Sequence, residues 1–241
     1  MWCIYVIFHR GFDPSFLSNF RFENWKLLKT DGYYSINCTE QLENLKELGF
    51  EIIQESQMYF YNAKLQRDKY HGPSAIYHFY KNGLYKNLDY IGFMEYDLHL
   101  ENDTSDFIEK NLTGSVSILL SSRHYLSFLL TQQDITINGK PCIPQIIDDY
   151  NIFFFTNHTI EKALEGNPIV GTQQSFICDK DTFERLGSFL TYLIEKRKDV
   201  YYPRPSTVFE RYISIFFHFE KNRLYLSLKH SAIGYHTGYK Q

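Results

Sequence analysis

The chain has 241 residues, 44% of them hydrophobic and 18% aromatic, which is ample material for one large core and the opposite of a disordered composition. Its formal charge of −3, with both signs interspersed, lacks the concentrated basic surface that sequence-independent nucleic-acid binding needs, so neither RNA nor DNA is expected as a partner. Four well-separated cysteines without C-x-x-C spacing, an N-terminus that reads as a strand and not a signal peptide, and no run near the ~18 apolar residues of a membrane span predict reduced thiols and a cytoplasmic protein.

In chain order, "CIYVIFH" (3–9) predicts a buried strand, and "TEQLENLKELG" (39–49) a helix with Leu42, Leu45 and Leu48 on one face and Gly49 as its stop. "FEIIQES" (50–56) predicts a second strand. A helix follows from about Pro73 to Tyr85, opened by Gly72-Pro73-Ser74, and leads into the strand of "DYIGFMEYDLHL" (89–100). "SVSILLSS" (115–122) predicts another strand. From Leu126 to Phe155 the chain is expected to be irregular, with "NGK" as a hairpin turn and Pro141 and Pro144 breaking regular structure. "SFICD" (175–179) reads as a short strand and the twenty residues after it as a helix. A second amphipathic helix follows Pro203 and Pro205, burying Phe209, Tyr212, Ile213, Phe216 and Phe219. The tail is one strand and then a loop rich in Gly, Tyr and His.

No repeat or linker divides the chain, so a single domain over 1–241 is expected. Alternating strands and helices predict an α/β domain whose mostly parallel central sheet is flanked by helices on both faces. Ligands bind such sheets beyond the C-terminal ends of the strands. Glu95 and Asp97 stand at such an end. Spaced i, i+2 on an extended chain, they point to the same side and could address one hard cation; the plain alternative is a pair of surface acids closing a strand.

With these residues in place, the chain resembles the GT-A type of nucleotide-sugar-dependent glycosyltransferase, a Rossmann-like α/β fold whose D-x-D motif binds the metal that clamps the donor diphosphate. It is similar in organisation to the small transferases of capsular polysaccharide pathways and of large algal viruses. The resemblance implies a hexosyltransferase that takes a nucleotide diphosphate sugar, UDP-sugar favoured, and a glycan hydroxyl as acceptor, with Mn²⁺ or Mg²⁺ as cofactor. Residues 1–122 would form the nucleotide-sugar and metal half, and 123–241 the acceptor-side half with its C-terminal loop.

"FHRGF" at the end of the first strand implies donor contacts from Phe8, His9 and Arg10. "MEYDL" matches the D-x-D strand with Glu95 in place of the first acid, making Asp97 the leading metal ligand and Tyr96 a donor contact. "EGNPIVGTQQSFICD" implies a sugar or acceptor pocket from Gly171, Thr172, Gln173 and Gln174. "TVFERY" places Glu210 at the position of the catalytic acidic motif, although Arg211 follows where an Asp is common. "LKHSAIGYHTGY" implies His230 or His236 as a further metal ligand and Lys229 as a phosphate partner.

Beside the resemblance, Thr207-Val208-Phe209-Glu210 fits a capping box, with Thr207 as N-cap and Glu210 reaching back to its backbone N–H. Arg67 and Lys69, ahead of a helix N-terminus, suit a diphosphate or are simply solvated. Sugar nucleotidylyltransferases share this sheet order but need a Gly-rich loop after the first strand, which "FHRGFDPSF" lacks. A non-catalytic carbohydrate- or nucleotide-binding protein remains the alternative to an enzyme.

Overall fold

A computed structural model describes residues 1–9, 24–30, 39–96, 98–99, 104–120, 123–171, 174–197, 200–220, 222–226 and 229–230; for 39–41, 99, 123–124, 169, 171 and 229–230 it describes the backbone only. In chain order the elements are β1 (Trp2–Phe8), β2 (Trp25–Lys29), α1 (Thr39–Glu47), β3 (Ile52–Gln54), α2 (Ala63–Arg67), α3 (Gly72–Lys81), β4 (Tyr90–Glu95), β5 (Leu98–His99), α4 (Thr104–Asn111), β6 (Ser117–Leu120) and β7 (Arg123–Tyr125). After these come α5 (Leu126–Leu130), β8 (Thr136–Ile137), β9 (Lys140–Pro141), α6 (Cys142–Phe154), α7 (Ile160–Leu164), β10 (Ile169–Gly171), β11 (Phe176–Asp179), α8 (Lys180–Glu195), α9 (Pro205–Phe219), β12 (Arg223–Leu226) and β13 (Lys229–His230).

Seven strands form the central sheet in the order β12-β6-β11-β4-β1-β2-β3. All pair in parallel except β11, which runs antiparallel to both β4 and β6. The expected mostly parallel, helix-flanked sheet is therefore present. In β1 the alternation of side chains divides the apolar run between two cores. Cys3, Tyr5 and Ile7 join the larger core with residues of α3, α6, α8 and α9, whereas Ile4, Val6 and Phe8 join Leu45 of α1 and Ile108 of α4. Each such side chain, removed from water, contributes about 1.5–3 kcal/mol.

Helices α3 and α8 pack closely because α8 carries a glycine at the crossing: a Cβ on Gly187 would lie 2.1 Å from the Tyr80 ring. The close approach offsets the roughly 1 kcal/mol that an interior helical glycine costs against alanine. The Tyr80 and Ser188 hydroxyls bond beside it at 2.9 Å.

Several expectations need correction. The segment from Leu126 to Phe155 is ordered into α5, the β8–β9 hairpin and the 13-residue α6. Pro144 is the third residue of α6, where the helix has no intrahelical use for an N–H, so it does not break the helix. The hairpin itself is as expected, with Asn138 (φ 50°) and Gly139 (φ 77°) both left-handed, as a type I′ turn requires. Strand β2 was not legible in "WKLLK", where Lys26 and Lys29 interrupt the buried apolar Trp25, Leu27 and Leu28, and Lys29 is buried with them. Nor does Thr207 cap α9: the helix starts at Pro205 after Arg204, with no side-chain cap, and Glu210 lies inside it.

Candidate functional site

Strands β1, β2 and β4 all end at one edge of the sheet, and β11, running the other way, begins there. His9 follows β1, Thr30 follows β2, Glu95 and Tyr96 close β4, and Gln174 and Ser175 precede β11. The backbone ties these ends together: Thr30 N–H donates to the Phe8 carbonyl at 2.9 Å and Tyr96 N–H to the Ile7 carbonyl at 3.2 Å. The Glu95 N–H donates to Ser175 Oγ at 3.1 Å, and Gln174 Nε2 donates to Glu95 Oε1 at 2.8 Å. The carboxylate predicted from the strand end is thus held by a buried amide.

Gln174 is 3% exposed, and its Oε1 has no hydrogen-bond partner among the described residues. An unmet buried acceptor of this kind costs about 1–3 kcal/mol unless a ligand or water supplies a donor. The amide lies against the first residue of α3, Gly72, whose hypothetical Cβ would fall 1.7 Å from Gln174 Nε2. Any larger residue there would force the amide to shift.

Before Gly72, His71 adopts φ 48°, ψ −121°, a backbone state that costs a non-glycine residue on the order of 1–3 kcal/mol. Its ring lies 5.9 Å from that of His9, which meets Tyr96 edge-to-face at 5.3 Å. The strained segment is braced from beneath by a buried network. Glu55, fully buried, accepts from His78 Nδ1 (2.6 Å), Ser74 Oγ (3.0 Å) and Gln66 Nε2 (2.6 Å), while Gln66 also donates to the His71 carbonyl at 3.2 Å. Asn62 N–H donates to His78 Nε2 at 3.0 Å, so the ring proton sits on Nδ1, facing the carboxylate. Burial pushes the neighbouring Tyr70 phenol up to about 12, which keeps it neutral.

The C-terminal segment returns to this edge. β13 pairs antiparallel with β5, setting His230 opposite Leu98 and Lys229 opposite His99. The backbone of the predicted C-terminal ligand is thereby placed beside the residue that follows Asp97 in sequence. Asp97 itself, with Arg10, Thr172, Gln173 and His236, lies outside the described residues. Gly171 ends β10 in register with Arg123. Among the described residues no three His, Cys, Asp or Glu side chains gather as a metal site. Of the donor types at this edge, hard carboxylate oxygen suits Mg²⁺ or Mn²⁺, whereas imidazole suits transition metals and not Mg²⁺.

Other predicted residues stand further out. Arg67 and Lys69 are exposed and make no ion pair among the described residues. Glu210 lies in α9, half-buried, with Ser206 Oγ at 3.5 Å from its Oε1. Helix α9 packs on β10 and α3, and Phe209 sets its ring 5.0 Å from Tyr70, bringing the start of the helix to the His71 segment. Sequence reasoning missed His71, Ser175 and the Glu55 network. His78, inside the apolar run "AIYHFY", was the one local signal; His71, Glu55 and Ser175 stand in no such run.

Superposition on solved structures places the fold. The bifunctional glycosyltransferase WbbM aligns over 96% of this chain with a TM-score of 0.59 at 14% identity. Residues 1–349 of S. aureus TarS, solved alone and in complex with UDP, align over 95% of the chain at 12% identity, but with a TM-score of 0.39, too low to bear on the argument. The chain spans 45% of the WbbM chain and 59% of the TarS chain. No protein-family profile and no curated protein matches the sequence. The α/β architecture is thus one that a known glycosyltransferase also has, and among the described residues no helix is long and apolar enough to cross a membrane.

Proposed function

We propose that the chain is a metal-dependent glycosyltransferase that moves a hexose from a nucleotide diphosphate sugar, UDP-sugar favoured, to a glycan hydroxyl. One observation carries the reading: the β13–β5 register, which returns Lys229 and His230 to the strand end bearing Glu95 and Asp97. A fold shared with WbbM agrees with it, although fold alone does not assign chemistry.

Asp97, His230 or His236, and Glu95 would hold Mn²⁺ or Mg²⁺, whose charge would stabilise the diphosphate as it leaves. Lys229, Arg67, Lys69 and Arg10 would share in neutralising the phosphates, and Phe8, His9 and Tyr96 would border the nucleoside. Gln174 Oε1, buried and unpartnered among the described residues, is an acceptor suited to a sugar hydroxyl. In the transfer, the bond from the anomeric carbon to the diphosphate oxygen breaks with its electron pair staying on that oxygen. The acceptor hydroxyl then bonds to the same carbon. Its proton would pass to Glu210 if the reaction inverts configuration.

Incubating the protein with UDP-sugars and Mn²⁺ and assaying free UDP tests the proposal. Turnover that requires metal and disappears in a folded Asp97→Asn variant is expected. A folded wild-type protein that neither binds nor turns over any sugar nucleotide would leave a non-catalytic carbohydrate-binding protein as the better reading.

A further inference from the structure

The opposite edge of the sheet carries a depression lined by charged and aromatic side chains. Because β11 is antiparallel to both β4 and β6, those two run in the same direction, and β12 runs with β6. Arg223, the first residue of β12, therefore lies at the edge away from Glu95. Here the last turn of α9, the turn at Asn222 (φ 57°) and the start of α7 line an open depression of about 690 Å³. That volume lies within the range of small-molecule sites.

Its chemistry is specific. Glu220 closes α9, its N–H donating to the Phe216 carbonyl at 3.2 Å. Its side chain is only 9% exposed. Oε2 accepts from Arg185 at 2.7 Å, and Oε1, on a residue that lines the depression, is itself buried and has no partner among the described residues. Arg223 donates to His218 Nδ1 at 3.3 Å, which leaves most of its five N–H donors for other acceptors. Lys162 is an exposed cation on the rim.

The two histidines carry no charge to the depression. Burial, reinforced by the Arg223 guanidinium, holds His218 down at about 4, and burial with Lys162 lowers His158. His158 lies flat on Phe219, ring centroids 3.9 Å apart and planes 8° from parallel, giving the depression a stacked aromatic wall.

Two cations at the rim call for an anion, and a buried carboxylate oxygen behind them calls for a hydrogen-bond donor. An ammonium group would meet Lys162 and Arg223, and a bare phosphate would turn oxygens toward Glu220. We propose that this depression binds a small hydroxylated anion, a sugar bearing a phosphate or a carboxylate, with the anionic group on Lys162 and Arg223 and a ring hydroxyl donating to Glu220 Oε1. The site is independent of the transfer reading, since it shares no residue with the β4 edge.

Titration calorimetry of the full chain with glucose 6-phosphate, glucuronate, glucose and inorganic phosphate tests this. One or both of the sugar anions should bind at least tenfold tighter than glucose or inorganic phosphate, and which of them binds identifies the anionic group. Lys162→Ala, at an exposed position, should weaken that binding about tenfold. Glu220→Gln should weaken the sugar anion but not inorganic phosphate. Inorganic phosphate binding as tightly as either sugar anion would reduce the site to a nonspecific cationic rim. Failure of both sugar anions to bind, or binding indifferent to Lys162→Ala in a protein with an unchanged unfolding midpoint, would overturn the proposal.

Discussion

Gly72→Ala is the sharpest perturbation of the β4 edge. Gly72 has no left-handed backbone, so alanine is permitted there, and as a helix former alanine should stabilise α3. Its Cβ, however, would sit 1.7 Å from Gln174 Nε2, and a side chain that is 3% exposed has little room to retreat. The amide must move, and its 2.8 Å bond to Glu95 is lost or distorted. A hydrogen bond to a charged group is worth about 1.5–3 kcal/mol, and overpacking costs about 1–3 kcal/mol, so a net loss of roughly 2 kcal/mol is expected. In a chain of 241 residues this lowers the thermal midpoint by about 4–8 °C.

The control is a double-mutant cycle with Gln174→Ala, read by thermal and urea unfolding. In the Gln174→Ala background the added methyl has space, and Gly72→Ala should become neutral or stabilising. Sugar-nucleotide binding should fall in the single variant, because Glu95 is no longer oriented. If Gly72→Ala stabilised the otherwise unaltered protein, or if the two substitutions were additive, the account of Gln174 as the amide holding Glu95 would be wrong.

Other consequences follow from the buried groups. Glu55→Ala leaves His78 Nδ1 without its acceptor, whereas Ser74 and Gln66 keep the His71 carbonyl, and should cost about 3 kcal/mol in urea unfolding, while protease cleavage in the 64–71 segment rises. His218, held near 4 in the folded protein, binds its proton more readily when unfolded. Its contribution to stability is therefore present above about pH 6.5 and lost as the pH falls toward about 4. Urea midpoints measured across that range should drop less steeply in His218→Gln than in the unaltered protein. An equal slope would contradict the assigned burial. Asp97→Ala should leave the unfolding midpoint without ligand unchanged within a degree or two, measured by scanning calorimetry, while abolishing any response to Mn²⁺ with UDP.

What the sequence disclosed was local pattern. The apolar run ending in Glu95 marks β4 and its exit edge, and the left-handed Asn138-Gly139 pair marks the hairpin, because each signal resides in consecutive residues. Pro144 misled because a proline's effect depends on its place within a helix, and the pattern gave no start for α6. Thr207 misled in the same way, with Pro205 opening α9 two residues earlier. The contact of Gly72 with Gln174 joins residues about a hundred apart in the chain, and no period records it. His71 likewise reads as an ordinary loop residue until its backbone and the Glu55 brace are seen. Glu220 was invisible for a similar reason: its unmet oxygen depends on where Arg185, on α8, places its guanidinium.

The most direct test of the central claim, that the β4 edge and the C-terminal strand form one metal-diphosphate site, is thermal unfolding with UDP-sugars, each with and without Mn²⁺. A ligand at a hundred times its dissociation constant stabilises the folded state by about 2.7 kcal/mol, a rise of roughly 5–10 °C for a chain of this size. The account predicts such a rise only when nucleotide and metal are present together, and its loss in both Asp97→Asn and the double variant His230→Ala with His236→Ala. A rise of the same size without metal, or one that survives in both variants, would contradict it.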